Sequence, residues 1–365
     1  MKIAMVGQFP PHIGGVSTHV LNLSKELIKK GHEVYVVTYP QKNLKDIGKI
    51  HVNSTYGINI KGLRSLFFII FGTIKLVQIV KKHDIDIIHG HYLFPPGLIA
   101  ILGGFFTKKK VYITAHGSDI FNLYKNKGFM RPILKFILKK AYKVLVVSEA
   151  LKEEIIKINI KGIEEKVRIN LNAVDINKFK PDNSYLFKKE LIKDYDIIEN
   201  QAIILYVGRL DKEKNVESLI EAKKHLKTPS TLVIVGYGPL ENNLKEKIKK
   251  EKISNVIFTG KRKDIENIIP SSDILVLPSF YESFGIVLIE ALSCGKPVIG
   301  SDIKSIRSII TEDVGLLIDP NNTKDITNKI DLILTNKDLK KKMEKNARQR
   351  ALLFSKIQIP YDMNI

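Results

Sequence analysis

The sequence has a single cysteine, Cys294, and no tryptophan. A lone thiol cannot form an internal disulfide, which fits a reducing cytoplasm. Long uncharged apolar runs are also missing. The nearest approach, Leu63 to Val80, is interrupted by Arg64, Lys75 and Gln78. It therefore reads as a mostly buried helix rather than a membrane span. The amino terminus, MKIAMVGQF, reads as a strand and not as a secretory leader. Acidic residues are scarce in the first half: residues 1–180 carry 12 Asp and Glu against 29 Lys and Arg, and the remainder carries 26 against 30. The formal net charge is +21. Such a first half suits an anionic partner, phospholipid or a phosphorylated substrate, although a solvated lysine-rich surface would look the same. No nucleic-acid motif and no aromatic run interleaved with arginine accompanies it, so no nucleic-acid partner is expected. H-E-x-x-H and G-x-G-x-x-G are absent too. The sequence thus offers no recognisable metal site and only a weak case for a dinucleotide.

What is present is a repeated α/β pattern. At 365 residues the chain exceeds what one core usually supports, so two domains are expected. KIAMVGQF is followed by a helical segment from Val16 to Lys30, then Gly31 and the strand EVYVVTY. DIDIIHGH, KVYITAHG and KVLVVSEA continue the alternation, which argues for a parallel sheet covered by helices. The pattern restarts at AIILYVGRL, with TLVIVGYG, NVIFTGKR and DILVLPSF following. Polar residues 180–200 read as the linker. The expected division is an N-terminal Rossmann-like domain, 1–180; a second Rossmann-like domain, 181–350; and a short tail, 351–365.

Domains of this kind bind ligands beyond the carboxyl ends of their strands, where the two sets of loops are expected to face a cleft. Gly14 and Gly15 precede a helix and would let a backbone approach a phosphate, or simply form a tight turn. Arg209 and Lys214 follow a strand and could neutralise a diphosphate, or merely be solvated. Gly236 and Gly238 offer close backbone approach or, again, a turn. Glu282 lies in the loop after LVLP, and Glu290 lies in the helix that begins near Gly285. The amides of Phe284, Gly285, Ile286 and Val287 form a helix N-terminus suited to phosphate. A carboxylate can accept two hydroxyl hydrogen bonds, so a ribose diol suits Glu290 and a sugar ring suits Glu282. A structural salt bridge for Glu290 and an exposed loop acid for Glu282 are the bland alternatives. His89, His91 and His116 cluster in the first half, and zinc is conceivable there. With one cysteine and no metalloprotease motif, His116 and Asp119 are better read as groups that touch a sugar or acceptor.

Glu282 and Glu290 form E-x7-E within PSFYESFGIVLIEALSCGKPVIGSD. Together with VGRLDKEKN, IVGYGPL, the glycine pair at 14–15, HGSD and NLNAVD, this block resembles the GT-B retaining glycosyltransferases of family 4. The resemblance spans residues 1 to about 350 and implies a metal-independent enzyme without a cofactor. It would move a sugar from a UDP-, GDP- or ADP-sugar to a hydroxyl acceptor: a glycolipid, a cell-surface glycan or a small solute. It implies that Gly15 approaches the donor diphosphate and sugar, and that His116 touches the donor sugar. Arg209 and Lys214 would bind the diphosphate, Glu282 the sugar hydroxyls, the amides of Phe284 to Val287 the sugar and phosphate, and Glu290 the ribose. The chain departs from the pattern at Leu171 to Asp175, at Ser301 to Ile306 and in its tail. An epimerase of the same fold, or an inactive transferase-like subunit, would share these residues. The segment from Tyr124 to Lys143 mixes cations with apolar residues. It suggests peripheral contact with an anionic inner membrane face, or an ordinary amphipathic helix.

Overall fold

The structure is a computed structural model of the chain. It describes residues 1–12, 14–41, 44–57, 63–125, 127–182, 186–195 and 201–361. Two compact units form: Met1–Ala173 with the segment from Ile357, and Val174–Lys356.

The first unit holds a parallel sheet of seven strands: β1 (Lys2–Val6), β2 (Glu33–Thr38), β3 (Ile50–Ser54), β4 (Ile87–His91), β5 (Lys110–Ala115), β6 (Lys143–Val146) and β7 (Val167–Ile169). Their order is β3-β2-β1-β4-β5-β6-β7, so the topology switches direction between β1 and β4. The central strands bury nearly every residue, as a sheet covered on both faces requires. The helix predicted from Val16 to Lys30 spans Gly15–Lys29 and buries Val20, Leu23 and Leu27. The segment Leu63 to Val80 lies in the helix Arg64–His83. Its inner face buries Phe68, Leu76, Ile79 and Val80, but Leu66, Ile70 and Ile74 remain exposed, so only one face is buried. No described helix is long and apolar enough to cross a membrane.

The second unit holds six parallel strands: β8 (Ala202–Val207), β9 (Ser230–Val235), β10 (Val256–Gly260), β11 (Ile274–Leu277), β12 (Val298–Ser301) and β13 (Gly315–Ile318). The order β10-β9-β8-β11-β12-β13 is that of a Rossmann sheet, and its switch point lies between β8 and β11.

The boundaries differ from those expected. Residues 174–180 belong to the second unit because Arg348 donates to the carbonyls of Ile176 and Phe179, and Ser293 Oγ donates to Phe179 O. The polar stretch read as a linker contains the helix Leu186–Tyr195. That helix is anchored by buried Phe187 and by a fork of Arg262 on Glu190 at 2.6 and 3.2 Å. The expected tail from 351 is not one free segment. The helix Lys337–Leu352 runs into it, and Ile357 and Tyr361 enter the core of the first unit. There the Tyr361 hydroxyl lies 2.9 Å from His89 Nδ1.

Candidate active site

In the second unit the candidate residues sit on the loops that leave β8 and β11, on either side of the switch point. After β8 the chain passes Arg209 and enters a short turn, Lys212–Lys214, capped by Asp211. After β11 it passes Glu282 and enters the helix Ile286–Ser293. The loops are tied together. Phe280 N donates to Glu213 O at 2.9 Å, and Asn215 Nδ2 donates to Pro278 O at 3.2 Å and to Pro320 O at 2.7 Å. Lys214 Nζ donates to Glu282 Oε1 at 2.5 Å, and both side chains are mostly buried. Ser279 Oγ is a further donor to Glu282 at 3.2 Å. Lys214 and Glu282, expected to serve different parts of a ligand, therefore form one pair.

Arg209 is freer. Its side chain is 67% exposed, with one ion pair to Asp211 at 3.2 Å, while buried Tyr206 donates to its carbonyl at 2.9 Å and fixes the backbone. Ser305, which the sequence reading did not single out, donates to Glu282 O at 2.6 Å and holds that loop in place.

Gly285 adopts φ 85°, a left-handed conformation that glycine tolerates without strain. It turns the chain so that the amides of Phe284, Gly285, Ile286 and Val287 have no acceptor among the described residues. These are the orphan donors of a helix start, and they favour an anion. Glu290 lies one turn further along. Its carboxyl makes no hydrogen bond or ion pair with any described residue, so the bland alternative of a structural salt bridge is not what the structure shows. The residue is only half-buried, yet burial pushes its carboxyl up to about 8, with Lys178 pulling the other way.

Gly236 has a structural duty. It sits at φ 148°, and a Cβ there would lie 1.8 Å from Gly208 O. Its N–H already donates to Gly260 O at 2.9 Å, so it has no amide left for a phosphate. At Gly238, likewise, a Cβ would lie 2.2 Å from Leu210 O. Gly236→Ala is expected to destabilise the unit by about 3 kcal/mol through this clash. Urea unfolding that returned wild-type stability would contradict this.

In the first unit, Gly14 and Gly15 are exposed at the start of the helix Gly15–Lys29, and a side chain at either would enter open space. Four histidines gather at the carboxyl ends of β4 and β5 and on that helix. His89 is structurally satisfied by Tyr361 and by Thr114 Oγ1 at 2.7 Å. His19, His91 and His116 form a group whose ligand atoms lie within 4.8 Å of one another. Both ring nitrogens of His91 and Nε2 of His116 have no hydrogen-bond partner among the described residues. Those of His19 lack one of good geometry, although the Asn172 amide lies alongside. Burial holds His19 near 4 and His89 near 3; it holds His91 and His116 well below the ordinary value, helped by the neighbouring histidines. All four rings are therefore neutral at pH 7. Three neutral imidazoles could hold a transition metal, or hydrogen-bond to hydroxyls.

Asp119 is not available to touch a sugar. It is buried, and it accepts the amides of Leu93, His116 and Gly117 at 3.2, 3.2 and 2.8 Å. Burial raises it to about 6, against the opposing pull of those amides. Its work is to hold His116 in place.

Two Rossmann-like units, one carrying a carboxylate, cations and a helix N-terminus around its switch point, define the GT-B fold class. The comparisons make the family explicit. The model described as "Glycosyltransferase Family 4" matches residues 13–178, and the one described as "Glycosyl transferases group 1" matches residues 187–350. The chain belongs to this family and is a glycosyltransferase. It is 26% identical to the N-acetyl-alpha-D-glucosaminyl L-malate synthase of Bacillus anthracis, over 93% of this chain and 89% of that one. It is 28% identical to the N,N'-diacetylbacillosaminyl-diphospho-undecaprenol alpha-1,3-N-acetylgalactosaminyltransferase of Campylobacter jejuni, over 98% and 95%. Its fold matches HepE of Anabaena, solved in complex with UDP and glucose, with a TM-score of 0.80 at 20% identity over 97% and 95% of the two chains.

Proposed function

We propose that this chain transfers a sugar from a nucleotide sugar to a hydroxyl acceptor, with retention of configuration and without a metal ion. The observation that carries the reading is that, among the described residues, the carboxyl of Glu290 and the amides of Phe284 to Val287 at the start of its helix have no hydrogen-bond partner. A nucleotide ribose has two hydroxyls to donate to such a carboxyl, and a diphosphate fits the amides. Arg209 and Lys214 would neutralise the diphosphate as it leaves, and Glu282 would hold sugar hydroxyls. Gly14, Gly15 and His116 are proposed as the first unit's contacts to the donor. Gly236 would shape the pocket through its loop rather than through its amide.

The chemistry needs charge stabilisation more than a strong base. The bond between the anomeric carbon and the diphosphate oxygen breaks, and negative charge develops on that oxygen. The acceptor hydroxyl attacks from the same face, and its proton passes to the departing phosphate oxygen. The donor is proposed among UDP-, GDP- and ADP-sugars, with UDP first because HepE shares the fold and was solved with UDP. One named relative is a synthase of a glucosaminyl malate and the other a transferase named for a sugar linked to diphospho-undecaprenol, so the proposal includes both small and lipid-linked acceptors. For a lipid-linked acceptor the enzyme would work in the cytoplasm at the inner membrane face. NMR of the product is expected to show the donor's anomeric configuration, with the rate unchanged by EDTA. An inverted product, or a rate abolished by the chelator, would contradict the reading.

A further inference from the structure

Three histidines from three separate elements of the first unit meet in its interior. β4 ends at His91, and the chain leaving β5 passes directly into His116. The two strands are neighbours, with His91 opposite Thr114. The helix Gly15–Lys29 brings His19 against both. Ring centroids lie 5.1 Å apart for His19 and His116, 5.5 Å for His19 and His91, and 5.8 Å for His91 and His116. All three side chains are buried, at 2%, 0% and 9% exposure for His19, His91 and His116. A buried polar group normally has a partner, and a cluster without one calls for an explanation. His89 shows the ordinary case. It shares a face of β4 with His91, but its nitrogens meet Tyr361 and Thr114. The unexplained set is therefore three imidazoles and not four.

The chemistry of the set narrows its ligand. A bound hydroxyl could pair with one or two of these nitrogens, whereas a single metal ion takes a lone pair from all three. An imidazole binds a metal in its neutral form, the form these rings hold at pH 7. Zinc takes imidazole nitrogens at about 2.0–2.1 Å, which in a tetrahedron sets them about 3.4 Å from one another. The ligand atoms here all lie within 4.8 Å of one another, so modest ring rotations close the distance. Among the described residues no carboxylate or thiolate joins the group. That disfavours magnesium or calcium, which prefer oxygen, and suits an ion that accepts nitrogen and keeps a fourth position open.

We propose that His19, His91 and His116 form a zinc(II) site, and that its occupation withdraws His116 from the donor sugar. The ion would also tie the start of the helix Gly15–Lys29 to the ends of β4 and β5. The metal-free chain is then the active form, so a chelator costs no rate. The second half of the proposal rests on the donor contact proposed above for His116; the first half does not.

The test uses the full chain, stripped with EDTA and then freed of it. Zinc chloride is titrated in by calorimetry, and cobalt(II) is titrated in while visible absorption is followed. One ion per chain is expected, with the intense visible bands of four-coordinate cobalt and a melting temperature that rises with zinc. His19→Gln and His91→Gln should each weaken binding by roughly a hundredfold or more. His51→Gln/His225→Gln alters two exposed histidines and should bind as wild type. The cobalt spectrum of the wild-type chain needs no variant, so it decides the matter even if a buried substitution folds poorly. No binding by the folded chain, or a six-coordinate cobalt spectrum, would overturn the site. So would binding lost in the surface variant, or kept in a folded His91→Gln. Sugar transfer is measured in parallel and should slow at least about tenfold with bound zinc and recover with EDTA. Zinc bound at the site with the rate unchanged would overturn the withdrawal of His116. A chain that transfers no sugar even when metal-free would overturn the proposed function, while calorimetry and cobalt absorption would still judge the site.

Discussion

Lys214→Met is expected to lower kcat by roughly 10²–10³, with a smaller change in KM. The substitution keeps the length of the side chain and removes only the charge. That charge has two duties. It pairs with Glu282 at 2.5 Å in the free protein, and in the proposed reaction it meets the negative charge that grows on the leaving diphosphate. The second duty strengthens in the transition state, so the loss should fall on kcat. The first adds a stability cost of about 1–3 kcal/mol, because among the described residues Glu282 then keeps only the Ser279 hydroxyl as a side-chain partner. Lys214→Arg tests the geometry: a guanidinium restores charge but not the compact fit, so rescue should be partial. A Lys214→Met enzyme within a few-fold of wild-type kcat would remove this lysine from the chemistry.

Glu290→Gln is expected to separate binding from stability in opposite directions. At about pH 9, where the carboxyl is ionised, donor affinity should fall roughly a hundredfold, because a charged acceptor of two hydroxyls becomes a neutral amide. Stability should rise. The wild-type carboxyl is pushed from its ordinary 4.5 up to about 8 in the folded protein. A raised acid favours the folded state most below its unfolded value. Wild-type stability therefore declines as pH climbs from 4.5 to about 8. At pH 7 the glutamine variant should be more stable by about 2 kcal/mol, a figure reduced for the partial exposure of the residue. Donor affinity should follow the same proton in the other direction. The diol needs the ionised carboxylate, so wild-type affinity should rise about tenfold between about pH 7 and about pH 9, and the variant should show no such slope. A melting curve in which Glu290→Gln is less stable than wild type at pH 7 would contradict the assignment.

Much of the fold was legible because its central strands are buried on both faces. Lys2–Val6 and Ala202–Val207 announce themselves as apolar runs followed by turn residues and helices. Ile50–Ser54 was not legible, since an edge strand reading IHVNS carries little apolar signal, and the three residues Val167–Ile169 give no periodicity. The helix Leu186–Tyr195 reads as linker because Pro181 precedes it and Lys188, Lys189, Glu190, Lys193 and Asp194 give it a polar composition. At the site, position after a strand matches where the fold places Arg209 and Glu282, on the loops leaving β8 and β11, with Glu290 in the helix that follows. The pairing of Lys214 with Glu282 spans 68 residues and depends on β8 lying beside β11, which local pattern does not encode. The same holds for His19, which joins His91 and His116 because β1 lies beside β4. The roles of Asp119 and Ser305 as loop ties required the folded geometry, since a polar residue in a loop looks the same whether it meets a ligand or its own backbone.

The central claim is that Glu290 holds the ribose of a nucleotide sugar. Calorimetry of UDP-, GDP- and ADP-sugars with EDTA present, on wild type and on Glu290→Gln, tests it most directly. The account predicts that at about pH 9 one nucleotide sugar binds the wild-type chain and binds the variant roughly a hundredfold more weakly. Equal binding to both proteins, or no binding by a folded wild-type chain, would contradict it.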